Sequence, residues 1–89
     1  MAEIFVIGVS HRSSPVALRE QLAIAPGTLS ASVKALAERA ELAEALMIST
    51  CNRVEIYGVA ADSGGARRAR EILAARLPAG ALEPHLYER

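Results

Sequence analysis

Aromatic residues make up only 3% of the chain, and tryptophan is absent. With few bulky anchors, the core must be built from layers of Val, Ile, Leu and Ala. There is a single cysteine. One thiol excludes an internal disulfide and cannot hold an iron–sulfur cluster or a zinc site. An excess of charge of one sign is lacking too, because ten basic residues cancel ten acidic ones. A domain whose main task is wrapping nucleic acid carries a basic footprint, so this balance argues against that class. No apolar run approaches the ~20 residues of a membrane span, and no signal-peptide pattern opens the chain. The expectation is a cytoplasmic protein with no membrane partner and, since Met1 leads straight into a strand-like segment, no transit sequence.

What remains is 89 residues, one small domain's worth. At that size folding buries only a little over ~60% of the unfolded surface, so the core is modest. The basic residues are nine Arg against one Lys. Arg suits bidentate recognition of carboxylate or phosphate; genome composition produces the same bias.

Ile4 to Val9 is an almost unbroken apolar, β-branched run, the pattern of a strand buried on both faces or central in a sheet. Ser14-Pro15 permits a short helix, with Pro15 in its first turn and Val16, Leu18 and Leu22 following. Pro26 opens a second helical segment, in which Leu29, Val33, Leu36 and Ala40 recur at helical spacing. Ala45 to Ser49 and Val54 to Ala60 read as strands joined by a connection short enough for a hairpin. Asp62 or Ser63 can cap a further helix from about Ala66 to Leu77 that buries Ala69, Ile72, Leu73 and Leu77. Pro78 to Gly80 breaks it, and His85-Leu86-Tyr87 makes a short last strand.

The order strand, helix, strand, strand, helix, strand (βαββαβ) predicts an α+β fold. The expected form is a ferredoxin-like sandwich, with helices on one face of an antiparallel four-stranded sheet. Right-handed crossovers place the first and third strands at the centre. The end of the first strand (Ser10, His11, Arg12) and the hairpin tip (Thr50, Cys51, Asn52, Arg53) then share one edge. Two polar clusters forty residues apart in sequence meet there, as a functional site requires.

Cys51 stands at the centre of that edge. A lone intracellular cysteine is, as a rule, a small buried hydrophobe. This one lies among Thr, Asn and Arg at a turn, where cations such as Arg53, and Arg12 or His11 across the edge, favour a reactive thiolate.

The stretch Ser49-Thr50-Cys51-Asn52-Arg53-Val54-Glu55-Ile56-Tyr57 resembles the Ser-Thr-Cys-Asn-Arg signature of the glutamyl-tRNA reductases. The opening Gly8-Val9-Ser10-His11-Arg12-Ser13-Ser14-Pro15-Val16, followed by Leu18-Arg19-Glu20, is similar to that family's first block. Ser14 stands where the family usually has a small residue such as Ala.

The resemblance covers the whole chain but only the family's amino-terminal catalytic domain. It implies that the Cys51 thiolate attacks the ester of glutamyl-tRNA(Glu), releasing tRNA and leaving a thioester. NADPH reduction then yields glutamate-1-semialdehyde for tetrapyrrole synthesis. Such an ester is already activated, so a low-pKa thiolate suffices without a strong base.

In this reading Arg53 holds the substrate γ-carboxylate. Thr50 and Asn52 hydrogen-bond the substrate or merely form the turn. Ser49 orients the loop or ends the strand, and His11 lines the pocket or satisfies backbone groups. Arg19 and Glu20 are expected to form an ion pair within the fold or on a helix surface. Arg67, Arg68, Arg70 and Arg76 form a solvated helical face or brush tRNA phosphates. The family's active-site histidine belongs to a later segment, so His85 receives no role.

No Gly-x-Gly-x-x-Gly turn follows a strand, so these residues carry no NADPH fingerprint. The family's NADPH-binding domain, and the helical domain through which it forms homodimers, are expected to be missing. Glutamate-1-semialdehyde aminomutase is the further partner that the resemblance suggests. Two rival readings share the fold. One is an RNA-binding module stacking bases on Phe5 and Tyr57. The other is a scaffold that binds a ligand or partner without chemistry.

Overall fold

A computed structural model describes residues 3–50 and 52–88. Four strands, β1 (Glu3–Ser10), β2 (Leu42–Ser49), β3 (Arg53–Ala60) and β4 (Tyr87–Glu88), form one sheet in the order β2-β3-β1-β4. Every neighbouring pair is antiparallel, and β1 and β3 lie at the centre as expected. Three helices, α1 (Val16–Leu22), α2 (Leu29–Arg39) and α3 (Gly65–Ala74), supply the second layer of this α+β domain.

The register explains the layering. Ile7 pairs with Ile56 and Val9 with Val54, while Met47 lies opposite Ile56 from the other side. Successive side chains of a strand alternate between faces. Phe5, Ile7, Val9, Met47, Val54 and Ile56 therefore share the helix-facing side, where they are buried with Leu22, Leu36, Ala69 and Leu73. The apolar run of β1 suggests burial on both faces, but Ile4 is 79% exposed and Val6 half-buried. The strand is central, yet among the described residues no helix covers its second face.

Local differences from the sequence pattern have identifiable causes. Pro15 caps α1 from an extended conformation (φ −70°, ψ 156°) instead of entering its first turn. β2 starts at Leu42, three residues before the expected Ala45, with a register irregularity between Leu42 and Glu44. Leu-Ala-Glu favours helix, and pairing with β3 overrides that propensity. Glu41, at φ 56°, makes the sharp turn from α2 into β2. The cap of α3 is Gly64, not Asp62 or Ser63, and the helix ends at Ala74. Ile72 and Leu77 are half-buried against the core. His85 falls in a 3-10 turn (Glu83–His85) that contains Pro84, so among the described residues Tyr87 and Glu88 are the ones that pair with β1.

Arg19 departs most from expectation. It is buried, and its Nη1 donates to the carbonyls of Ser14 and Ser10, tying α1 to the end of β1. Glu20 next to it is exposed; adjacent helical residues point in different directions.

Three arginines of α3 have acidic partners. Arg67 lies 3.7 Å from Glu71 and Arg68 3.0 Å from Asp62, and Arg70 pairs with Glu88 of β4. Arg68 also donates to the Ala40 carbonyl at 2.6 Å. Hydrogen bonds from Arg68 and the Gly64 amide hold the Asp62 carboxyl below its ordinary value of 3.8. A lowered folded pKa means that the ionised pair stabilises the fold above the ordinary value. That contribution fades as pH falls through the lower, folded one. Asp62→Asn is expected to flatten the acid limb of stability below about pH 4, read by denaturant unfolding across pH. An unchanged limb would show the pair to be inert. No described helix is long and apolar enough to cross a membrane.

Candidate functional site

The end of β1 and the β2–β3 connection meet as the topology requires. Ser10 pairs with Arg53, and the His11 amide donates to the Asn52 carbonyl at 2.7 Å. Each side is stiffened by its own short-range bonds. In the hairpin, the Thr50 hydroxyl accepts from the amides of Asn52 and Arg53, both at 3.2 Å, and the Thr50 amide donates to the Arg53 carbonyl at 2.9 Å. Thr50 thus builds the turn. After β1, the Ser10 carbonyl accepts from the Ser14 hydroxyl at 2.8 Å, and the Ser13 hydroxyl accepts from the Ser10 amide at 2.9 Å. His85 Nδ1 lies 2.9 Å from the Ser13 carbonyl, which fastens the segment before β4 to the same loop.

Between these loops opens a basin of about 700 Å³. Its walls are Ser10, His11, Arg12 and Ser13 on one side and Thr50, Asn52 and Arg53 on the other, with Glu55 and Tyr87 below. Of the residues singled out in the sequence, His11, Thr50, Asn52 and Arg53 line it. Ser49 does not: its hydroxyl accepts the Ile24 amide at 3.1 Å on the helix-facing side, anchoring the chain between α1 and α2. Cys51 lies outside the described residues; its sequence neighbours Thr50 and Asn52 both line the basin.

Glu55 is the feature that the sequence reading missed. Its residue is 3% exposed although it points to the face opposite the helices. Burying a carboxylate is unfavourable unless hydrogen bonds replace its water. Here the Tyr57 hydroxyl donates to Oε1 at 2.9 Å, the Tyr87 hydroxyl donates to Oε2, and Arg53 Nε lies 3.6 Å from Oε1. Gly8 makes the room. A Cβ there would stand 2.5 Å from the Val54 carbonyl and 2.8 Å from Glu55 Cγ. The available signal was period two: Arg53, Glu55 and Tyr57 share one face of β3.

The same geometry bears on the alternatives. Phe5 is buried on the helix-facing side, and the hydroxyl of Tyr57 is engaged by Glu55, so the aromatic pair suggested for stacking bases is not presented together. Gly64-Gly65 serves packing. A Cβ on Gly65 would stand 2.3 Å from that of Ala60, so the glycine lets α3 close onto β3. Among the described residues no group of three His, Cys, Asp or Glu could hold a metal ion.

Comparison with known proteins agrees with the motifs. The family model described as "Glutamyl-tRNAGlu reductase, N-terminal domain" matches residues 7–89. A curated relative named glutamyl-tRNA reductase, from Geotalea uraniireducens, is 41% identical over 87 residues, covering 94% of this chain and 20% of that protein. One from Prochlorococcus marinus is 38% identical over 89 residues, covering 97% and 20%. The solved structure of the glutamyl-tRNA reductase from Methanopyrus kandleri shares the fold, with TM-score 0.66 at 21% identity over 100% of this chain and 19% of that one. The chain thus spans about a fifth of the length of the relatives it matches. With a family model covering nearly every residue and the two polar loops folded into one basin, the chain belongs to the family of glutamyl-tRNA reductase N-terminal domains.

Proposed function

We propose that this domain performs the acyl-transfer half of glutamyl-tRNA reduction. The observation that carries the reading is the meeting of Thr50, Asn52 and Arg53 with the end of β1 around one basin. The Cys51 thiolate attacks the ester carbonyl of glutamyl-tRNA. A carbon–sulfur bond forms, the bond to the ribose oxygen breaks, and the freed tRNA hydroxyl takes up a proton. Glutamate remains as a thioester on the protein. Arg53 holds the γ-carboxylate through its planar fork. Asn52 and His11 offer polar groups to the glutamyl amine and carbonyl, while Thr50 and Ser49 keep the hairpin and its approach in place.

NADPH, when bound by a part of the enzyme outside these residues, supplies hydride to the acyl group. The product, glutamate-1-semialdehyde, enters tetrapyrrole synthesis. The sheet order β2-β3-β1-β4 supports describing the sandwich as ferredoxin-like. A cytoplasmic location, a homodimer formed through a helical domain, and hand-over to glutamate-1-semialdehyde aminomutase complete the proposal.

Incubation with radiolabelled glutamyl-tRNA tests it. We expect one hydroxylamine-labile glutamyl group per chain, and no semialdehyde when NADPH is added to these residues alone. Absence of both labelling and tRNA release would overturn acyl transfer. Aldehyde produced by this chain would overturn the division of labour.

A further inference from the structure

We infer that Tyr57 and Tyr87 are positioning residues which, by clamping the Glu55 carboxylate, fix Arg53 in the orientation that selects a negatively charged acyl side chain. The inference rests on the proposed acyl transfer and adds to it what sets the specificity of the basin.

Arg53 alone is poorly placed to select anything. Its side chain is 50% exposed, and a long, solvated arginine loses rotamer freedom whenever it holds a ligand. An ion pair between mobile surface groups would not restrain it. Glu55 is different, because its side chain is only 5% exposed and both oxygens are engaged, Oε1 by Tyr57 and Oε2 by Tyr87. The two phenols come from different strands, β3 and β4, so the carboxylate is held from two directions. The space left by Gly8 sets its depth.

Glu55 faces Arg53 through Nε, at 3.6 Å. Nε on the anchor side leaves the two terminal nitrogens as an end-on fork, which matches a carboxylate bidentately. A neutral amide offers that fork one acceptor oxygen and an NH2 group that cannot accept. A carboxylate approaching Glu55 without the guanidinium between them would be repelled, so a misplaced Arg53 loses attraction and adds repulsion together. The clamp therefore acts on discrimination, through geometry, without touching the reacting carbon.

The test compares transfer from glutamyl-tRNA with transfer from glutaminyl-tRNA, the nearly isosteric neutral substrate, to this chain. The ratio of the two rates does not depend on the fraction of protein folded, which a merely structural role would alter. The double variant Tyr57→Phe/Tyr87→Phe keeps both rings and removes both donors. We expect it to lower the ratio about tenfold, the scale of a lost hydrogen bond to a charged group. Glu55→Gln, which keeps the shape and removes the charge, should lower it as well. An unchanged ratio in the double variant, with a discriminating parent, would overturn the clamp. A parent that transfers neither group would instead overturn the acyl-transfer reading, and one that transfers both equally would overturn Arg53 as the selector.

Discussion

Replacing Cys51 with Ser is expected to lower glutamyl transfer from glutamyl-tRNA by about a thousandfold or more, because an alcohol is scarcely ionised where a thiol is a ready nucleophile. The two side chains are nearly isosteric, so the fold should be retained, and circular dichroism checks that directly. Release of tRNA and hydroxylamine-labile label are read in one assay. A full rate in the variant would remove Cys51 from the reaction and return it to the ordinary status of a lone thiol.

The largest effect on stability is expected at Gly8. In Gly8→Ala the new Cβ meets a backbone carbonyl at 2.5 Å and Glu55 Cα at 3.0 Å, and neither can swing aside as a flexible side-chain tip would. The central β1–β3 pair must separate, with an expected loss of about 3 kcal/mol, the upper range for overpacking. Gly27 is the matched control. A Cβ there meets nothing within 4 Å, so Gly27→Ala should stay within about 0.5 kcal/mol. Denaturant midpoints for the two variants decide the matter. A Gly8→Ala protein as stable as the parent would mean that the strands slide apart at little expense, and the tight seat of Glu55 would lose its structural basis.

Much of this architecture is legible in the sequence. The β-branched run of β1, the short polar link between Ser49 and Arg53, and the helical spacing from Leu29 to Ala40 imply the element order. Connectivity alone then brings His11 to the hairpin tip. The features that escaped share a cause: each depends on a partner far away in sequence. Glu55 reads as the polar half of an alternating strand until the two phenols and Gly8 are seen around it. Tyr87 belongs to a strand of two described residues, too short for periodicity to register. Arg19 looks like half of an ion pair with Glu20, internal or on the helix surface, because nothing local reveals that the carbonyls of Ser10 and Ser14 turn toward it. Ser49 lies within the motif but on the opposite face, since the motif straddles the end of β2, where alternate residues part.

The pairing of β4 with β1 shapes how the molecule assembles. Ile7 meets Glu88, and Gly8 meets Tyr87, so the two strands are far apart in sequence. Closing so large a loop is entropically slow, whereas the β2–β3 hairpin forms from neighbours. The walls around Thr50 and Arg53 can therefore arise early, while Tyr87 joins them only once β4 docks on β1. Newly made chains would pass through a stage in which the guanidinium is present but its anchor is still incomplete.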